Sequence, residues 1–113
     1  MDSGLTIIKG SFEEYSDSIV LESGQSSSIE INVKGALEIS LQINNSGGNN
    51  LEIGISPSLG LGFTTLPLKN LSLIKDENII VKIETGYYKI KIEFLNKDLD
   101  NFTNIDYVCI VKK

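Results

Sequence analysis

Residues 96–106, NKDLDNFTNID, hold a dense set of hard oxygen donors: Asn96, Asp98, Asp100, Asn101, Asn104 and Asp106. Carboxylate and amide oxygens of this kind ligate calcium. The D-x-D start is that of an EF-hand loop, but that loop needs Gly at its sixth position and Glu at its twelfth. Counted from Asn96, those positions hold Asn101 and Tyr107, so the loop is not an EF-hand. The expectation left is a sandwich-loop calcium site with Asp98, Asp100 and Asp106 as ligands. Set against it is a solvated loop whose Asn and Asp side chains cap their own turns.

Other residue groupings carry less chemistry. Glu13-Glu14, Asp76-Glu77 and Asp98/Asp100 are paired carboxylates. Glycosidic cleavage needs two carboxyls facing across a cleft, one with a raised pKa, and neighbours in exposed turns do not supply that. Ser26, Ser27 and Ser28 have no histidine to activate them, because the chain contains none. Gly60-Leu61-Gly62 lacks the Lys-Ser/Thr that follows in a phosphate loop. Tyr87 and Tyr88 are adjacent, so on a strand they face opposite ways; Tyr88 is expected in the core and Tyr87 at the surface.

The absences narrow the field further. Without His there is no ordinary general base near neutral pH and no imidazole metal ligand. There is no Trp to stack on sugar, and all ten basic residues are Lys, so no guanidinium grips phosphate bidentately. A net charge of −5 argues against nucleic acid and against anionic membrane as partners. No apolar run approaches the ~20 residues that span a bilayer, and the first residues do not form a secretory signal. An enzyme is therefore not expected. Cys109 is the single cysteine, so no intrachain disulfide forms; within YVCIV the expectation is a buried thiol, with an intersubunit bond as the alternative.

The elements that must position these residues are strands. SIEINV places Ile29, Ile31 and Val33 on one face. ALEISLQIN does the same with Leu37, Ile39, Leu41 and Ile43, LEIGIS with Leu51, Ile53 and Ile55, and YYKIKIEF with Tyr88, Ile90, Ile92 and Phe94. This period of two, carried by β-branched Ile, marks half-buried strands. Turn signals separate the runs: Glu22 to Gln25, Asn44 to Asn50, Lys75 to Asn78, Thr85-Gly86 and Asn96 to Asn104. SPSLGLGFTTLPLKN, with both prolines, is the irregular segment; it is expected to cross between sheets, with a helix in 57–70 as the alternative. At 113 residues the chain is expected to form one domain: an all-β antiparallel sandwich of eight to ten short strands, jelly-roll or Greek-key, over 11–113.

Two places carry more apolar surface than a lone sandwich needs. In IDYVCIVKK both faces are apolar, with Val108 and Ile110 opposite Tyr107, Cys109 and Val111. Near the N-terminus LTII, between Gly4 and Gly10, puts Leu5 and Ile7 on one face of a short strand and Thr6 and Ile8 on the other. Such a strand either pairs within its own domain or adds to the sheet edge of another copy.

The extension MDSGLTIIKG, the strand–turn rhythm after it and DYVCIV with Cys109 together resemble the jelly-roll subunits of bacterial endospore appendages. The resemblance implies a structural subunit made without a secretory signal, which polymerises when an N-terminal connector docks on the next subunit and cysteines cross-link the joint. Here the extension has no cysteine, so Cys109 lacks a matching partner. The ETGYYKIKI strand is also similar to those of accessory sandwiches in secreted bacterial enzymes.

The function expected is a non-enzymatic subunit of a filament or shell on a bacterial spore, a cell surface or a virion, with itself as partner. Residues 1–10 would be the connector; Leu5, Ile7 and Ile8 would donate a strand, and the acceptor edge would include Val108 and Ile110. The main alternative is a carbohydrate- or protein-binding module stabilised by calcium in the 96–106 loop. A small phage-encoded inhibitor of a host protein is a third reading.

Overall fold

A computed structural model describes residues 12–113. The alternating runs form eight strands: β1 (Phe12–Leu21), β2 (Ser26–Asn32), β3 (Glu38–Ser46), β4 (Leu51–Ser58), β5 (Lys69–Leu73), β6 (Asn78–Ile83), β7 (Lys89–Asn96) and β8 (Thr103–Lys112). They make two antiparallel four-stranded sheets, ordered β1-β8-β3-β6 and β2-β7-β4-β5. Among these strands only β4 and β5 are both consecutive and paired; every other connection passes from one sheet to the other. That order is a jelly roll, two interleaved Greek keys. No helix among the described residues is long and apolar enough to cross a membrane. The connector expected over 1–10, with Leu5, Ile7 and Ile8, lies outside the described residues.

Period-two patterning decides what is buried. Ile39, Leu41 and Ile43 of β3 face Ile53 and Ile55 of β4 and Ile90, Ile92 and Phe94 of β7 across the sandwich, all at most 1% exposed. Ile105, Tyr107, Cys109 and Val111 bring β8 into the same core. The Phe94 and Tyr107 rings lie 5.5 Å apart at a 31° tilt, bridging the two sheets. Each fully buried Ile or Phe contributes about 1.5–3 kcal/mol over leaving it in water. An apolar core of this size is sufficient to hold a domain of this length.

Three sequence expectations are corrected. Leu37 is exposed, not in the core, because β3 begins at Glu38 and the preceding turn breaks the phase. Tyr88 is likewise exposed while Tyr87 packs against the core, since β7 begins only at Lys89. The segment around 57–70 does not change sheets: β4 runs through Pro57, residues 59–68 loop back, and β5 pairs with β4. Pro57 fits because the β5 ladder ends at the Ile55–Lys69 pair, so its missing N–H falls where no ladder bond is due. The crossing occurs later, in the tight turn 74–77 between β5 and β6.

Candidate functional site

The acidic loop lies at the end of the sandwich where four connections meet: 22–25, 47–50, 74–77 and 97–102. Two buried asparagines organise that end. Asn45 donates from Nδ2 to the carbonyls of Gly48 (2.9 Å) and Ile74 (3.0 Å), and its Oδ1 accepts from the Thr103 hydroxyl. Asn96 donates from Nδ2 to the carbonyls of Leu21 (3.1 Å) and Asn101 (2.9 Å), while its Oδ1 accepts from the Asp98 N–H (3.0 Å). Both N–H bonds of each amide go to loop carbonyls and each Oδ1 accepts one bond, so every buried amide group is partnered. The packing is tight: a Cβ on Gly47, whose φ is +128°, would meet the Phe102 carbonyl oxygen at 2.8 Å. Only glycine fits there, by conformation and by space.

Asp98 caps the same end. Its carboxylate accepts from the N–H groups of Asn49 (2.8 Å), Asp100 (2.9 Å) and Asn101 (3.1 Å). The Asn49 N–H, then those of Asp100 and Asn101, hold its pKa down at about 2. Asp106 sits apart, on the outer face of β8, where its carboxylate accepts from the Ser18 hydroxyl of β1 at 2.5 Å. Asp98 and Asp100 are thus neighbours in one loop, and Asp106 does not join them. Among the described residues no three acidic or thiol side chains converge as a metal cluster.

Cys109 is fully buried, and desolvation pushes its thiol up to about 11, which leaves it a thiol at neutral pH and unreactive. Val108 is half-buried and Ile110 is 38% exposed, both on the outer face of the first sheet. The strand that carries them is not an edge, which corrects one expectation: β8 pairs with β1 on one side and β3 on the other, so its backbone is already satisfied. Among the described residues the strands paired on one side only are β1 and β6 in the first sheet and β2 and β5 in the second. Ile80 of β6 points outward, 67% exposed, in the same cross-strand row as Gln42 and Val108.

A second concave feature lies on the outer face of the other sheet. The β4–β5 loop folds back over it and encloses a groove of about 500 Å³. The floor is mainly polar, with Glu52, Gly54 and Ser56 from β4, Lys91 and Glu93 from β7 and Asn70 from β5, and Leu95 of β7 as an apolar patch. Phe63, Thr65 and Pro67 of the loop form its wall. The loop is pinned in place: the Thr64 N–H donates to the Pro57 carbonyl at 3.1 Å, the Leu68 N–H to that of Ile55 at 2.7 Å, and the Thr64 hydroxyl to that of Leu66 at 2.6 Å. Gly54 keeps the floor low, with Pro67 and Asn70 within 4 Å of where its Cβ would be. The Lys91 ammonium rests 5.5 Å from the Phe63 ring centre. Sequence reasoning missed this groove. Its available signal was the pairing of outward polar positions on LEIGIS and KIKIE with the glycine- and proline-rich loop beside them.

No protein-family model and no curated protein matches this chain. Solved structures match it in fold. The SPBc2 prophage-derived protein YomS superposes with a TM-score of 0.60 at 16% identity, over 97% of this chain and 100% of that one. PirA gives 0.56 at 18% identity over 88% and 94%. A subunit from Bacillus endospore appendages, described as a novel family of disulfide-linked pili, gives 0.51 at 9% identity over 96% and 97%. The resemblance to endospore-appendage subunits is thus present as a shared fold.

Proposed function

We propose that this chain is a non-enzymatic structural subunit that self-assembles into a filament or shell, its N-terminal strand adding to the sheet edge of a neighbouring copy. One observation carries the reading: residues 12–112 alone fill all eight positions of the jelly roll. Among the described residues four strand edges each offer a row of unpaired backbone groups, and the sequence Leu5–Ile8 is an apolar β-former of the kind that such an edge takes up. Strand addition satisfies both needs. Repeated between copies in one sense, such a contact is heterologous and grows a polymer. The appendage-subunit likeness supports the reading as a fold able to serve in a fibre.

Of the open edges, β6 is the best matched acceptor. Its Ile79, Val81 and Ile83 continue the inner apolar face, which Leu5 and Ile7 would extend, and Ile8 would lie beside exposed Ile80. Val108 and Ile110 are contact side chains on that outer face rather than part of the edge. Burying three large aliphatic side chains at ~25 cal/mol per Å² supplies several kcal/mol per joint before ordering costs.

The test is deletion of residues 1–9, read by size-exclusion chromatography and negative-stain microscopy. The shortened chain is expected to fold as a monomer while the full chain assembles. Ile80→Lys in the full chain is expected to block assembly as well. Polymers that persist after the deletion refute the reading.

A further inference from the structure

We propose that the groove between the outer face of the β2-β7-β4-β5 sheet and the β4–β5 loop is a binding site for a neutral oligosaccharide. This is independent of the proposed assembly contact, which falls on the other sheet. At about 500 Å³ the groove falls within the ~300–1,000 Å³ of small-ligand sites. It is an open trough, which suits a chain running through it rather than a compact molecule held inside.

Its chemistry is that of a polyol site. A sugar presents apolar C–H faces and a rim of hydroxyls that both donate and accept. Phe63, half-buried in the wall, offers a ring for the C–H face. Around it Asn70 supplies an amide that donates and accepts, Ser26 and Thr65 supply hydroxyls, Glu93 accepts and Lys91 donates. Among the described residues no side-chain hydrogen bond occupies Asn70, Glu93, Ser26 or Thr65, so these groups stand free for a ligand. The charges discriminate. Glu52 is paired with Lys97 at 3.3 Å, which leaves Lys91 against Glu93 and a nearly balanced groove. An anionic sugar or a phosphate would find one ammonium and two carboxylates, and no guanidinium to grip it. The loop is already pinned by three backbone and hydroxyl bonds, so little ordering opposes binding.

Isothermal titration calorimetry of the full chain with xylohexaose, cellohexaose and maltohexaose tests this, with tri-galacturonate as the anionic counterpart. At least one neutral hexasaccharide is expected to give a saturable isotherm. Phe63→Ala and Asn70→Ala are each expected to weaken it by about tenfold or more, with unchanged far-ultraviolet circular dichroism. Leu61→Ser, in the same loop but fully exposed and outside the groove, is expected to leave affinity unchanged. The proposal is overturned if none of the three neutral sugars binds at about 10 mM, if tri-galacturonate binds more tightly than they do, or if binding survives both groove variants.

Discussion

The two ends of the sandwich are built on opposite plans. At one end, four connections converge on Asn45, Asn96 and Asp98, and nearly every loop is hydrogen-bonded to another: Ser23 donates to the Asp98 carbonyl, the Gly24 N–H to that of Asn96, and the Lys97 N–H to that of Asn50. At the other end the connections 33–37, 59–68 and 84–88 carry Leu37, Leu59, Leu61, Leu66 and Tyr88 out into solvent. Backbone bonds hold these connections, such as the Val33 N–H to the Tyr88 carbonyl, the Tyr88 N–H to that of Ser58 and the Leu37 N–H to that of Lys112, with no buried side-chain amide among them. The first end closes the fold through Asn45, Asn96 and Asp98. The second leaves several leucines exposed, with the Lys34 ammonium over Tyr88, 4.7 Å from its ring centre, and its longest loop walls the groove. An Asx-rich loop drew attention as a site because its atoms are the right type; in place Asn96 and Asp98 bond loop backbone, while Asp106 bonds the Ser18 hydroxyl of β1.

The largest expected effect comes from breaking the closed end. Asn96→Ala leaves the buried bond to the Leu21 carbonyl and the part-buried bonds to the Asn101 carbonyl and the Asp98 N–H unmade. Each such orphan costs about 1–3 kcal/mol, partly relieved by water, so a loss of about 3 kcal/mol is expected in urea unfolding. A loss below ~1 kcal/mol would mean that the loops hold one another without the amide, and the contrast between the ends would lose its basis.

How much of this the sequence disclosed follows from where local pattern suffices. The strands and inward faces of Ile39–Ile43 and Ile90–Phe94 were legible because burial on one side of a pleat writes itself as alternation. The same phase runs on into Asn45 and Asn96, two and two residues further, and into Thr103 before Ile105. Polar residues in the inward register are the trace of a buried network, but composition made them read as loop. Leu37 and Tyr88 failed the other way: each continues an apolar alternation across a strand boundary that turn geometry, not pattern, sets. The groove was illegible for a third reason. It exists only because residues 59–68 fold back over strands already paired, β4 with the distant β7, and no local period encodes that return.

A smaller effect is expected from Asp98, and it should depend on pH. Its folded pKa of about 2 lies below the usual aspartate value near 4. A depressed carboxyl stabilises the fold when ionised, so its contribution is present in full above about pH 4 and is lost as pH falls through about 2. Asp98→Asn should therefore lower the melting temperature at pH 7 by less than Asn96→Ala does. The gap between wild type and Asp98→Asn should close as the pH is taken from 4 towards 2. A gap that stays constant over that range would show that the three backbone N–H groups do not depend on the carboxylate charge, and the closed end would then rest on its amides alone.

The smallest effect belongs to the other end. Leu61 is 100% exposed, in a loop whose hydrogen bonds come from its neighbours Gly60 and Thr64 and not from its own side chain. Leu61→Ser removes apolar surface that nothing among the described residues covers, so unfolding free energy should change by no more than about 0.5 kcal/mol. The substitution is useful because stability and surface separate cleanly at this site. If the exposed leucines act only as an uncovered fringe, the variant melts as wild type does and aggregates less on heating. If it instead destabilises by more than ~1 kcal/mol, Leu61 packs on something in solution, and the open end of the sandwich is then itself a covered interface. That result would move the proposed contact between copies from the β6 edge to the 59–68 loop.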